Sequence, residues 1–294
     1  MHDSQVPVLT GTPEPPEILA TVAEQGVVLL RDGGWQRDTF VALGDALMEP
    51  VAYAGGFQQE RDVIGGDRTT TSVTRGTMGM PLHREASYGP GSPDLLTFLC
   101  ERPADDGGRT TLCDGVALLN ALPDEVRAEC EQMEIVWENT LPAEDWQRTF
   151  DTDDPETVRP ALRQWEPYLR PWESLGVHTA GTALVIGFGT RCTPPTRFGG
   201  VPAFCNSLFV SRPDEDEYHD QRLRVRTAAG APVPARLLSI AAEVAQRLTV
   251  AVPWQAGDVL IVDNSRYLHG RQSFTDTGRS VMVRMGHLHQ KEEA

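Results

Sequence analysis

Pro81-Leu82-His83-Arg84-Glu85 sets a histidine and a carboxylate two residues apart. On extended chain, residues i and i+2 point to one face, so an imidazole nitrogen and a carboxylate oxygen can converge on one ion. A third donor has to come from far along the chain. The candidate is His269, in Asp263-Asn264-Ser265-Arg266-Tyr267-Leu268-His269-Gly270-Arg271. More than half of the chain separates His83 from His269, so their convergence requires a closed β architecture that makes distant strands neighbours. Taken alone, the triplet reads equally well as two solvated polar residues, and a lone histidine beside a strand is more often hydrogen-bonded structure. Taken together, two histidines and one carboxylate on one side of a metal, with open positions opposite, form the facial triad suited to non-heme Fe(II).

The rest of the pattern is compatible with such an architecture. Short β-branched or leucine-rich runs at Val27–Leu30, Leu95–Cys100, Thr110–Cys113, Met133–Trp137, Thr182–Ile186, Ala203–Val210, Asp258–Asp263 and Arg279–His287 read as strands. Helices are expected over Glu17–Gln25, ending at Gly26, and over Asp38–Met48, Val116–Leu122, Pro123–Gln132 and Pro234–Leu248. Val6–Pro16 reads as an irregular entry arm, and Gly55–Met80 as a loop or weak edge strands. Residues from about 140 to 180 form a variable segment in which Trp146, Trp165 and Trp172 stand among charged residues, read as a lid or insert. No internal repeat and no low-complexity linker divides residues 1–294, so one domain is expected, mainly β with flanking helices.

Composition narrows the function classes. The net charge of −16 disfavours nucleic acid, whose phosphates need a basic face. No apolar run approaches the roughly 18 residues of a membrane span. Met1–Gln5 lacks the basic and apolar regions of a secretory leader, so a cytoplasmic location is expected. Cys100, Cys113, Cys130, Cys192 and Cys205 include no CxxC pair, which fits reduced thiols better than a zinc cluster or redox dithiol. Of the remaining histidines, His2 lies in the tail and His219 in a charged run. His287 and His289 are placed beyond the last strand. His178, in the variable segment, is a candidate for facing a substrate.

Several segments, in order, resemble the TauD/TfdA family of Fe(II)/2-oxoglutarate-dependent oxygenases. They are Pro81–Tyr88, Pro93–Cys100 with Pro103-Ala104, Gly107-Gly108-Arg109-Thr110 with Cys113-Asp114-Gly115, Trp146–Phe150, Phe204–Leu208 and Asp263–Arg271. The glutamate at position 85 is most similar to the clavaminate synthase-like and SyrP-type members. The resemblance implies a double-stranded β-helix, or jelly roll. It implies Fe(II) ligation by His83, Glu85 and His269, and contacts to 2-oxoglutarate from Thr110 and from Arg279 or Arg284, with Arg279 favoured. An arginine suits the distal carboxylate because its fork makes paired charge-assisted hydrogen bonds.

The implied reaction consumes O2 and 2-oxoglutarate and oxidises an unactivated C–H, most simply by hydroxylation. Desaturation, epoxidation and ring closure stay open, whereas a carboxylate at position 85 disfavours halogenation. The implied substrate is a small molecule, an amino acid or a metabolite derived from one, free or tethered to a carrier protein in natural-product biosynthesis. Arg84, Ser87, Tyr88 and His178 are its candidate contacts. Two other classes compete: a non-catalytic jelly-roll binding module, and a cupin-type metalloenzyme working without 2-oxoglutarate. An intact triad opposes the first, and Thr110 with Arg279 opposes the second.

Overall fold

The computed structural model describes residues 6–52, 61–210 and 222–289. The chain opens with β1 (Val8–Thr10), α1 (Pro15–Gln25), β2 (Val27–Arg31), α2 (Arg37–Leu47), β3 (Met48–Pro50), β4 (Thr70–Ser72), β5 (Met80–His83) and β6 (Leu95–Arg102). It continues through β7 (Thr110–Asp114), α3 (Gly115–Ala121), α4 (Asp124–Gln132), β8 (Glu134–Leu141), α5 (Ala143–Phe150), α6 (Val158–Ala161), β9 (Ser174–Ala180) and β10 (Ala183–Arg191). It closes with β11 (Leu223–Thr227), α7 (Ala235–Leu248), β12 (Val250–Ala251), β13 (Asp258–Asp263), β14 (Tyr267–Arg271) and β15 (Ser280–Leu288).

Two sheets face each other. The larger runs β1-β2-β13-β6-β15-β3, with β4 also paired to β15, and the smaller runs β12-β7-β14-β5. The chain crosses between them repeatedly: β6 to β7, then β12 to β13 to β14 to β15. This alternation is the jelly roll expected from the sequence. The central strands of the large sheet read as continuous apolar runs because both of their faces are buried. Val28, Leu30, Leu99, Val259 and Ile261 point toward α1 and α2, meeting Ile18, Val22, Phe40 and Leu47. Their neighbours Val27, Leu29, Phe98, Leu260 and Val262 point to the other face and pack with Leu112 and Trp254. A slip of one residue would exchange the two sets, so the two packed faces fix the register.

A third sheet, β11-β8-β10-β9, stands beside the sandwich. One cluster joins its Ile135, Trp137 and Phe188 to α3, α4 and α7 through Leu118, Val126, Leu237, Ala241 and Val244. Another joins Leu141, Val177 and Leu184 to Trp146 of α5, Val158 of α6 and nearby Leu162, all within the segment read as an insert.

The helices fall within a residue or three of the expected spans. α1 ends where Gly26 takes φ 78°, a left-handed conformation that glycine adopts without a Cβ penalty. Four sequence expectations change. Val8–Thr10 is a strand, parallel to β2. Ala203–Val210 is not a strand: Asn206 Oδ1 accepts from Leu208 N at 2.9 Å, an Asx turn that breaks the extended run. His269 lies on a strand of its own, β14, rather than in the connection after β13. His287 lies inside β15, with its Nδ1 3.8 Å from Asp94 Oδ2. His2 and His219 fall outside the described residues. All five cysteines are free and buried, and among the described residues no helix is long and apolar enough to cross a membrane.

Candidate metal centre

β14 is held between β7 and β5, and its pairing to β5 sets His269 directly opposite His83. The approach is close. A Cβ on Gly270, the next residue, would lie 2.6 Å from the Met80 carbonyl and 2.8 Å from Thr111 Oγ1. The ladder shifts register between His269 and Arg271. Such bulges commonly re-aim side chains beside functional sites. Glu85 follows two residues after His83, just past the end of β5. Ligand atoms of His83, Glu85 and His269 all lie within 4.8 Å of one another. The three residues are only 5, 8 and 6% exposed.

The hydrogen-bond pattern prepares this trio for a cation. His83 Nδ1 donates to the Pro81 carbonyl at 2.9 Å, which fixes the tautomer and leaves Nε2 as a lone-pair donor. That Nε2 is buried without a protein partner. His269 Nε2 is 3.8 Å from Glu85 Oε2. Burial lowers the affinity of both imidazoles for protons, and the Glu85 carboxylate only partly opposes this. Burial also pushes Glu85 upward, but the Arg61 guanidinium and the two histidines outweigh it and hold the carboxyl at about 2. Neutral imidazoles and an ionised carboxylate are the protonation states that metal binding demands.

The trio lines a recess that is part open to solvent. Thr110 and Arg279 line the same recess, and Phe98 forms part of its wall. Thr110 Oγ1 accepts from Trp254 Nε1 at 3.1 Å. Arg279 donates Nε to the Gly108 carbonyl at 2.8 Å and lies against the Phe274 ring. Among the described residues it has no carboxylate partner. Burial and the nearby Arg271 lower its pKa to about 10. A desolvated guanidinium that faces the recess and has no carboxylate partner among the described residues suits an anion.

The other candidates lie elsewhere. Arg284, 1% exposed, is turned away from the recess, donating to Thr69 Oγ1 and Thr70 Oγ1 and pairing with Asp45. Arg84 and Ser87 are buried outside the recess lining, with Ser87 Oγ 2.7 Å from Ser207 Oγ. Tyr88 is 40% exposed, edge-on to Trp137. His178 is exposed on β9, opposite Val185 of β10. Sequence reasoning missed Arg61, whose Nη2 lies 2.8 Å from Glu85 Oε2 inside the recess. It lies in a polar, glycine-rich stretch without periodicity, where nothing singled it out.

Residues 7–285 match the family model described as taurine catabolism dioxygenase TauD, TfdA family. The chain belongs to this family. It is an Fe(II)- and 2-oxoglutarate-dependent dioxygenase, with Fe(II), 2-oxoglutarate and O2 as its cofactors. A clavaminate synthase-like protein of Arabidopsis thaliana is 26% identical over 277 residues, covering 88% of this chain and 81% of the relative. The fold matches a taurine dioxygenase from Burkholderia xenovorans with a TM-score of 0.59 at 15% identity, covering 98% of this chain and 88% of that one. It also matches PvcB, an Fe, α-ketoglutarate-dependent oxygenase from an isonitrile synthetic pathway, with a TM-score of 0.54 at 15% identity, covering 94% and 80%. The jelly roll is thus the family's double-stranded β-helix, and the donor set suits its metal: two neutral imidazoles and a carboxylate on one side, with a recess opposite.

Proposed function

We propose that His83, Glu85 and His269 hold Fe(II), that Thr110 and Arg279 hold 2-oxoglutarate, and that the enzyme hydroxylates an unactivated C–H of an amino acid or amino-acid-derived metabolite. The observation that carries the reading is the meeting, in one recess, of the three donors with a desolvated arginine that has no carboxylate partner among the described residues. Fe(II), once bound with 2-oxoglutarate and O2, supplies the oxidising power for the C–H bond. The protein's own contribution is positional. The Pro81 carbonyl aims the His83 ring, and Arg61 keeps Glu85 ionised. Arg279, braced by the Gly108 carbonyl, offers Nη donors to a carboxylate. Thr110 Oγ1, committed as acceptor to Trp254, has its proton left to donate into the recess. Phe98 and Val283 supply an apolar wall that limits water.

The amino-acid reading draws on the clavaminate synthase-like relative and on charge. Among the described residues, Arg61, Arg271 and Arg279 line the recess, and these guanidinium groups suit a substrate carrying a carboxylate. A place in natural-product biosynthesis is favoured by the likeness to PvcB. The position of Arg284 argues for leaving it out of the cosubstrate site. Desaturation and ring closure use the same residues, and product analysis distinguishes them.

The test is anaerobic addition of Fe(II) and 2-oxoglutarate, followed by the weak visible charge-transfer band of the chelate. The band is expected in the wild type and in His178→Ala, and lost in His83→Ala. Absence of the band from wild-type protein that has bound metal would sink the reading. Amino acids screened for coupled succinate release then identify the substrate.

A further inference from the structure

Glu85 holds an awkward position for a metal ligand. It lies beyond the end of β5, so no ladder partner fixes its backbone. The next residue, Ala86, has φ 51°, a left-handed conformation that a residue with a Cβ seldom adopts. Backbone of this kind persists only where its surroundings over-determine it.

The surroundings here come from far along the chain. Arg84 N donates to the Asn206 carbonyl at 3.2 Å, and Ser207 Oγ donates to the Arg84 carbonyl at 2.9 Å. The Glu85 backbone is held by one side chain. Asn264 Oδ1 accepts from Glu85 N at 2.9 Å, and Asn264 Nδ2 donates to the Glu85 carbonyl at 3.1 Å. The same Nδ2 donates to the Pro93 carbonyl at 2.9 Å. Asn264 is 0% exposed. It thus satisfies both backbone groups of the carboxylate ligand, as a neighbouring strand would. It also stands in the turn between β13 and β14, five residues before His269.

We infer that Asn264 is a positioning residue for the metal centre. It presents the Glu85 carboxylate to the two imidazoles and ties that ligand to the strand carrying His269. An amide suits this, because its acceptor oxygen and its two N–H donors lie side by side in one plane. This inference rests on the proposal that His83, Glu85 and His269 hold the metal.

The test measures metal affinity separately from stability. Co(II) and Fe(II) are titrated anaerobically into wild type, Asn264→Ala, Asn264→Asp and Ser265→Ala, and thermal unfolding is recorded without metal. Ser265 shares the turn, bonding to Asp263 and to Arg197 N, and does not touch Glu85. Loss of an outer partner of a metal ligand typically weakens metal binding about 10- to 100-fold. Asn264→Ala is expected to fall in that range. Asn264→Asp keeps the acceptor for Glu85 N but, when ionised, loses both donors, and should fall between Asn264→Ala and wild type. Ser265→Ala should stay within about threefold of wild type, whatever its unfolding temperature.

A folded Asn264→Ala or Asn264→Asp that binds metal as wild type does overturns the inference. So does an equal loss of affinity in Ser265→Ala, which would assign the effect to the turn as a whole. If Asn264→Ala does not fold, Asn264→Asp against Ser265→Ala carries the decision. Failure of wild type to bind either metal would instead overturn the reading of the triad.

Discussion

Replacing Arg279 with glutamine should separate the cost of a site from its use. Arg279 is held from the ordinary 12.5 to about 10, with burial the main cause and Arg271 adding to it. At about 1.4 kcal/mol per unit, the folded protein carries at most about 3.5 kcal/mol of unfavourable charge burial there. The side chain is part exposed, so solvent screening reduces this to about 1–2 kcal/mol. Glutamine removes the charge and gives up the bond to the Gly108 carbonyl, a loss of about 1 kcal/mol. The free protein should therefore be as stable as wild type or slightly more so, with Tm moving by no more than a few degrees.

The effect on 2-oxoglutarate should be opposite and larger. Truncating one partner of a buried, hydrogen-bonded charge pair costs about 2–5 kcal/mol, which is at least about 30-fold in affinity. The assay is anaerobic titration of 2-oxoglutarate into the Fe(II)-loaded variants, with unfolding measured without ligand. Stabilisation of the wild type by saturating 2-oxoglutarate, which follows from binding to the folded state alone, should largely vanish in Arg279→Gln. Binding within about threefold of wild type would refute the assignment. A fall in Tm beyond about 5 °C would refute the charge argument, since it would make Arg279 a structural cation.

Two further substitutions test the surroundings. Arg284→Met strips the guanidinium that ties the start of β4 to β15 through Thr69 and Thr70, and α2 to β15 through Asp45. Urea unfolding should show a loss of about 2–3 kcal/mol, eased because Asp45 can turn to water, with 2-oxoglutarate affinity unchanged; a tenfold loss of affinity would return Arg284 to the cosubstrate site. Asp94 is pushed up by burial, but His287, Arg170, the Leu288 amide and Arg197 outweigh this and hold it below the ordinary 3.8. A lowered folded pKa stabilises above the unfolded value and stops doing so as pH falls through the folded one. Asp94→Asn should therefore lower Tm clearly at pH 7 and progressively less as the pH falls below 3.8, and a loss that does not change with pH would refute the argument.

How much of this was legible depended on the range of the signal. The large sheet was readable because Val27–Leu30, Leu95–Cys100 and Asp258–Asp263 are buried on both faces and leave unbroken apolar runs. β14 was not, because its five residues mix Tyr, His, Gly and Arg and are extended only by virtue of β5 and β7 on either side. The same contrast runs through the site. His83 and Glu85 announce themselves by spacing, and His269 and Arg279 by a family order of segments. Arg61 and Asn264 carry no local pattern at all. Arg61 counts because its guanidinium reaches Glu85, and Asn264 because one amide plane fits the peptide groups of a residue far from it in sequence. The candidate ligands are thus written in short motifs, whereas the partners that orient and charge them are fixed only when the sheets close. Such partners gather where the strands of the candidate ligands leave backbone groups unpaired, as at Glu85, just past a strand end and followed by a left-handed Ala86.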